Sequence, residues 1–436
     1  MNYKTLIVHH ALPRHMTILL SVFMIFKLRN LLSSPYSRLV VLPCLLIGLS
    51  GLWACSESTP VAAPEFGLID TDASYATRSL YQNLNRLSPD HVLFGHQDAL
   101  AYGVLWEGDE DRSDIRDVAG SHPALYGWEI GNLELGAAEN LDKVNFVRMQ
   151  EWIRAAFERG GVITISWHMN SPVTGGNAWD TRPTVAQILP GGSHHKVLVD
   201  YLDAFIEFNK DLIYFNRKGK ERHIPIIFRP WHEHNGDWFW WGKGSTSEAD
   251  YIALWRFTVD YLRAQGVHNL IYAFSPDRSR IDLENFTRDY FYGYPGDDYV
   301  DVIGLDNYWD LGHPANNTPA EQQKLDFAQS LQNIVQIAHR KNKIAALTEG
   351  GQDKLGNPRF WTEVMLPAIE SNADTRGLAY IMMWRNANRE REGRDHFYVP
   401  YQGFEHAADF IDLVRSPLVL LEQELPNMYV RPRPVK

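Results

Sequence analysis

Eight short apolar runs, each separated from the next by a longer stretch, constrain this chain more than any other feature. They fall at residues 92–96, 124–130, 162–168, 224–230, 270–274, 300–305, 344–347 and 378–383. Each has strand length and is rich in Val, Ile, Leu and aromatic residues. Between them the apolar positions recur at helical intervals. Residues 144–159 place Phe146, Val147, Ile153, Ala156 and Phe157 near one face, and 325–338 does the same with Leu331, Ile334, Val335 and Ala338. Residues 197–208 and 251–264 show similar spacing. Strands that alternate with helices imply a parallel sheet covered on both faces. Eight such units on this length favour closure over an open, doubly wound sheet. No glycine-rich phosphate loop comes after any run, which argues against nucleotide binding. The expected fold is α/β: a (β/α)8 (TIM) barrel forming a single catalytic domain over residues 66–425, with a tail at 426–436.

In such barrels chemistry sits at the C-terminal ends of the strands, so the residues just past each run carry the most information. His96-Gln97-Asp98 ends the first run and continues beyond it, and His168-Met169-Asn170 closes the third. Trp231-His232-Glu233-His234-Asn235 comes after the fourth, Asp306-Asn307-Tyr308-Trp309 after the sixth, Thr348-Glu349-Gly350 after the seventh, and Trp384-Arg385-Asn386 after the eighth. Titratable and aromatic groups therefore gather at one end. Glu233 and Glu349 form the candidate catalytic pair. Cleaving a glycosidic bond takes one carboxylic acid to protonate the leaving oxygen and a second carboxylate opposite it. Taken singly, either glutamate could equally be one half of a rim ion pair. Tyr308 could steady the charge of a nucleophile, Asp306 could orient its neighbours, Trp384 could floor the cleavage point, and Arg385 could bond hydroxyls one unit away. His168 and His232 are further candidates for contacts with substrate. Trp238, another candidate for substrate contact, opens an aromatic run, Trp238-Phe239-Trp240-Trp241, part of which must be core because contiguous residues point in several directions. Trp167 is expected to pack. His168, His232, Glu233 and His234 raise a metal-dependent hydrolase or deaminase as an alternative, but His232-Glu233-His234 lacks the i, i+4 helical spacing of a zinc-protease motif.

Composition narrows the partner. The formal net charge is -11, which disfavours a phosphate backbone and hence nucleic acid. Aromatic residues are 12% of the chain, with 14 Trp, and flat rings stack on the apolar faces of sugars. Only Cys44 and Cys55 occur, both near the N-terminus, so no disulfide framework is expected. Residues 38–55 read as an export signal, with an Arg ahead of an apolar run that ends at small residues. Its end, Leu52-Trp53-Ala54-Cys55, resembles a bacterial lipobox, although Trp53 is an unusual occupant of its position. By that resemblance Cys55 is the lipidated residue, and Ser56 after it favours the outer membrane. A transmembrane anchor is the alternative, although the run is short for a span. A second apolar stretch lies upstream at residues 16–26, and translation could start after Met1. Residues 1–55 are thus assigned to the export and lipoprotein signal region and 56–65 to a short tether. A lipid anchor would be the chain's only tie to a membrane, and a monomer is the default.

The residues at the strand ends carry a wider pattern. Arg229-Pro230-Trp231-His232-Glu233-His234-Asn235-Gly236-Asp237-Trp238-Phe239-Trp240-Trp241-Gly242 resembles the acid/base segment of glycoside hydrolase family 26, whose members are mostly β-mannanases. Phe94-Gly95-His96-Gln97, Ser166-Trp167-His168-Met169-Asn170, Gly304-Leu305-Asp306-Asn307-Tyr308, Thr348-Glu349-Gly350 and Met383-Trp384-Arg385 extend the resemblance in order. It implies a (β/α)8 barrel, with Glu233 as acid/base and Glu349 as nucleophile. It also implies sugar contacts at the -1 subsite from His168, His232, Tyr308 and Trp384, and at the -2 subsite from Arg385. The implied partner is a β-1,4-mannan polysaccharide or oligosaccharide, including galactomannan and glucomannan, cleaved by double displacement with no metal or organic cofactor. β-Glucan or xylan hydrolysis on the same site, and a surface carbohydrate-binding protein without catalysis, are the alternatives. Residues 134–142, after the second run, are a candidate wall of the cleft. If they block it, short units such as mannobiose would be clipped from chain ends.

Overall fold

The computed structural model describes residues 67–432, apart from 89, 373 and 374. The expected export region, the tether and the lipidation site Cys55 therefore lie outside the described residues. Eight parallel strands form the expected barrel: β1 (Val92–Gln97), β2 (Leu125–Glu129), β3 (Val162–Ser166), β4 (Ile226–Arg229), β5 (Leu270–Phe274), β6 (Val302–Asn307), β7 (Ile344–Gly350) and β8 (Leu378–Met383). Each pairs with the next, and β8 closes on β1 in a register that runs from Leu93 opposite Tyr380 to His96 opposite Met383. A short strand, Val419–Leu420, extends the pairing at the start of β1.

Period-two alternation divides the side chains of every strand between two cores. Leu93, Leu125, Ile227, Ile271, Val302, Ile344 and Ala379 belong to an inner cluster, together with Leu80, Tyr81 and Leu84 from helix Tyr75–Leu87. That helix closes the bottom of the barrel, and its Tyr81 hydroxyl donates to the Asp301 carbonyl just ahead of β6. Their neighbours Phe94, Tyr126, Phe228, Tyr272, Ile303 and Leu347 face outward in the larger cluster shared with the surrounding helices. Helices Phe146–Arg159, His195–Lys210, Glu248–Ala264 and Ala320–Lys341 overlie the stretches expected from periodicity, and the last three extend them. Asn145 and Ser247 cap two of them by accepting from the first-turn amides. Beyond residue 425 the chain stays against the barrel bottom: Met428 is buried, and the Asn83 amide donates to the carbonyls of Met428 and Val430.

One irregularity shapes the mouth. Between β6 and β7 the register steps from Leu305 opposite Leu347 to Asp306 opposite Glu349, leaving Thr348 as an extra residue on β7. In a regular strand Thr348 and Glu349 would point to opposite faces. The bulge turns both toward the barrel interior. Thr348 Oγ1 donates to Asp306 Oδ1 at 2.7 Å, and the Glu349 carboxylate pairs with Arg229.

Candidate active site

The interior polar layer is built on Arg229, the last residue of β4. Its guanidinium is 1% exposed, and burial at that depth demands partners. Nη1 donates to Asp306 Oδ2 at 2.6 Å, and Nη2 donates to Glu349 Oε2. The other Glu349 oxygen accepts from the Tyr308 hydroxyl at 2.7 Å. The Glu349 carboxylate is thereby fixed in rotation by donors on β4 and just after β6. Asp306 does not reach the cleft. It is fully buried, with Oδ2 accepting from Arg229 and Ser275 and Oδ1 from Thr348. The expectation that it binds substrate is therefore corrected to the orienting role considered beside it, because no oxygen is left to meet a sugar.

Glu233 sits on a contorted segment. Trp231 and Glu233 both adopt left-handed backbone, each with φ of 52°. For non-glycine residues this costs on the order of 1–3 kcal/mol apiece and persists only where the surroundings enforce it. Here the Trp231 carbonyl accepts from Tyr251, the His232 carbonyl from the Trp241 indole, and the Glu233 amide donates to the Ser275 carbonyl. Trp231, Trp240 and Trp241 are buried, so most of the aromatic run braces this turn as core. Trp238 alone leans back into the cleft, where its Nε1 donates to Glu233 Oε2 at 2.8 Å. Gly236 permits that approach, since a Cβ there would lie 2.5 Å from the Trp238 ring. Burial, reinforced by the charges of Asp277, Glu349 and Asp306, holds the Glu233 carboxyl well above the usual carboxylate range. The two glutamates thus meet contrasting surroundings, one oriented by a cation and a phenol, the other biased toward its protonated form.

A second buried chain runs beneath the opposite wall. His168 Nδ1 lies 2.8 Å from Glu129 Oε2, and its Nε2 lies 3.2 Å from His232 Nε2. Glu129 ends β2 and is fully buried. Burial alone would lower the His168 pKa, but the Glu129 charge outweighs it and the net shift is upward. Burial and the nearby charge of Arg229 push His232 well below the ordinary value. His168 therefore donates and His232 accepts. His234 turns away to the Tyr292 carbonyl and stacks on Tyr251, so the three histidines do not converge. Trp384 meets His168 edge-on, and the half-exposed Trp179 stacks on it at 5.1 Å. Trp167 packs against Phe205 and donates to Glu134, as expected of a core residue.

Arg385 lies apart from the two glutamates. It is 6% exposed and ion-paired to Asp142 at 2.9 Å and Glu392 at 2.7 Å, so its main bonds go to protein. It pins the far end of residues 134–142, whose near end is held by Glu134 bonds to Trp167 and Asn170. Sequence reasoning missed Glu129, Arg229 and Trp179. The first two carried a usable signal, since each is a charge inside an otherwise apolar run and must be paired once buried.

A closed parallel barrel whose C-terminal mouth holds two carboxyls in contrasting surroundings, ringed by tryptophans, defines a two-carboxylate glycoside hydrolase. Residues 69–390 match the family model described as glycosyl hydrolase family 26, and the chain belongs to that family. Among similar solved structures is a GH26 β-mannanase from Bacteroides ovatus, 38% identical, with a TM-score of 0.73, covering 82% of this chain and 97% of that one. A mannan endo-1,4-β-mannosidase of Bifidobacterium adolescentis is 32% identical over 78% of this chain. The match covers only 34% of that relative, so this chain spans about a third of its length. A mannan endo-1,4-β-mannosidase of Bacillus subtilis is 27% identical over 59% of this chain and 70% of the relative.

Proposed function

We propose that this protein hydrolyses β-1,4-mannosidic bonds in mannan, galactomannan or glucomannan by double displacement with retention. The observation that carries the reading is the unequal treatment of the two glutamates. Glu349, fixed between Arg229 and Tyr308, is the nucleophile. Its Oε attacks the anomeric carbon while Glu233, held protonated, gives its proton to the departing oxygen. Glu233 then takes a proton from water, which displaces Glu349 from the sugar and regenerates both groups. The Trp238 N–H stabilises the carboxylate that Glu233 becomes between the two steps. His168, His232, Tyr308 and Trp384 line the sugar at the point of cleavage, and Arg385 supports the next unit through the segment it anchors. No metal or organic cofactor enters these steps. The β-mannanase names of the relatives support mannan as substrate, and the endo mode that several of them carry is the first reading for this chain.

A second mode, release of mannobiose from chain ends, is favoured by one observation. Residues 134–142 are tied down by Glu134, by Asn140 on the Glu129 carbonyl, and by Asp142 on Arg385. A wall held that firmly can close the cleft. The reading extends to location: export, lipidation at Cys55, residence in the outer membrane, and a monomeric state. The deciding experiment is a time course on linear β-1,4-mannan, with product sizes resolved and a Glu349→Ala control. An early broad ladder supports endo cleavage, and early mannobiose alone supports the exo mode. No product from mannan, with turnover of β-glucan or xylan, would move the substrate. Binding without turnover of any of these would leave a carbohydrate-binding protein.

A further inference from the structure

The end of the barrel opposite the mouth carries a feature the chemistry does not use. Strands Ile213–Phe215 and Glu221–His223 form a hairpin between helix His195–Lys210 and β4. As a helix-to-strand connection, it lies at the N-terminal face. Its tip reads Asn216-Arg217-Lys218-Gly219-Lys220, and Arg222 stands on the return strand. Arg217, Lys218 and Lys220 are exposed. Among the described residues none of these four cations forms an ion pair; Arg222 donates only to the Glu221 carbonyl. Most other arginines of the described chain are paired, and the chain as a whole is acidic at -11. The nearby carboxylates are Glu158, Glu221 and, at the base of the hairpin, Asp211, so the four cations outnumber three anions. Beside the cations, Phe215 is 67% exposed, Tyr75 58% and Val430 43%. These residues rim a groove of about 1220 Å³ floored by Phe157, Tyr214 and Tyr429.

Unpaired cations interleaved with exposed aromatic and aliphatic side chains suit one kind of surface, a layer of anionic headgroups over hydrocarbon. We propose that this face rests on a bilayer containing anionic phospholipid, with Arg217, Lys218 and Lys220 on the phosphates and Phe215 and Tyr75 in the interface. The inference rests on the export and anchoring reading, because Cys55 precedes Gly67 by only twelve residues. The Ile69 amide is fixed to Asp301 at the start of β6, so the described chain enters on this same face. Twelve residues reach at most roughly 40 Å. A barrel so seated presents Glu233 and Glu349 away from the membrane, toward incoming polymer.

The test uses the full chain carrying Cys55→Ala, so that no acyl chain dominates. Its partition is compared between phosphatidylcholine vesicles and vesicles that also contain phosphatidylglycerol. The expected result is stronger binding to the anionic vesicles at low salt, abolished at high salt. Combining Arg217→Glu, Lys218→Glu and Lys220→Glu should weaken that binding on the order of a hundredfold, taking three cations at the surface. Phe215→Ala should weaken binding to a smaller, salt-independent degree. Both variants should hydrolyse substrate like the parent, which shows that they fold. Equal partition of the parent between the two vesicles overturns the proposal, as does undiminished binding by the triple variant. Capture by dextran sulfate without capture by vesicles also overturns it, in favour of a soluble polyanion. Labelled palmitate incorporation, with and without Cys55→Ala, tests the anchor separately.

Discussion

Trp238→Phe isolates one bond to the proposed acid. The indole N–H donates to Glu233 Oε2 at 2.8 Å, and it is the contact that pulls the Glu233 pKa down against burial and its anionic neighbours. A hydrogen bond to a charged group is worth about 1.5–3 kcal/mol, and 1.36 kcal/mol is one pH unit, so its loss is roughly one to two units. Glu233 is only half-buried, and water will replace part of what the indole supplied, which favours the lower end. The sign comes from the role. Glu233 must carry its proton to act as acid, so kcat/KM falls as pH rises through its pKa. Removing a donor that stabilises the carboxylate raises that pKa, and the alkaline limb moves upward by about one unit. The assay is kcat/KM against pH on an unactivated manno-oligosaccharide, with phenylalanine keeping much of the stacking surface. An alkaline limb that stays in place, or moves down, would refute the assignment of Glu233 as acid or of Trp238 as its partner.

Glu233→Ala should cripple turnover of oligosaccharides far more than of aryl glycosides with activated leaving groups, which need little protonation; equal losses in steady-state kinetics would contradict the acid role. Thr348→Val leaves Asp306 Oδ1 buried without its donor, and thermal or urea unfolding should register a loss of about 1–3 kcal/mol. Asp98 is fully buried, and burial with the neighbouring charge of Asp142 pushes its pKa up to about 8. A carboxyl whose pKa is raised on folding costs stability as pH climbs from its unfolded value, about 4, to its folded one. Asp98→Asn tolerates the same left-handed backbone, with φ of 54°, and should gain on the parent in Tm between those limits while holding a constant difference below them. Trp179→Ala removes the half-exposed ring stacked on His168 and should raise KM by about three- to tenfold with little change in Tm.

The order and number of barrel strands were legible because hydrophobic runs report burial directly. The fifth and eighth runs coincide with β5 and β8. The sixth and seventh stop short of the real strand ends, at Asn307 and Gly350. There backbone pairing continues through polar residues, and apolar pattern does not record backbone bonds. The gathering of Glu233, Glu349, His168, His232, Tyr308 and Trp384 at one end came from strand polarity alone. The division of labour beneath them did not. Whether Asp306 meets solvent depends on Arg229 lying over it, and whether Arg385 is open depends on Asp142 and Glu392, contacts that the linear sequence does not announce. The hairpin at residues 213–223 was unread because its strands are short and half-exposed, with little burial to imprint a pattern.

The extra residue on β7 makes the spacing of this site a matter of counting. Deleting Thr348 would restore an unbroken ladder between β6 and β7, a change the barrel itself can absorb. It would also draw the glutamate back into the inward place of Thr348, one residue short of its partners, and leave Asp306 Oδ1 without its donor. A protein engineer moving this constellation to another eight-stranded scaffold must therefore carry over the insertion as well as the side chains, since an ideal strand with the same residues would aim one of the two glutamates the wrong way.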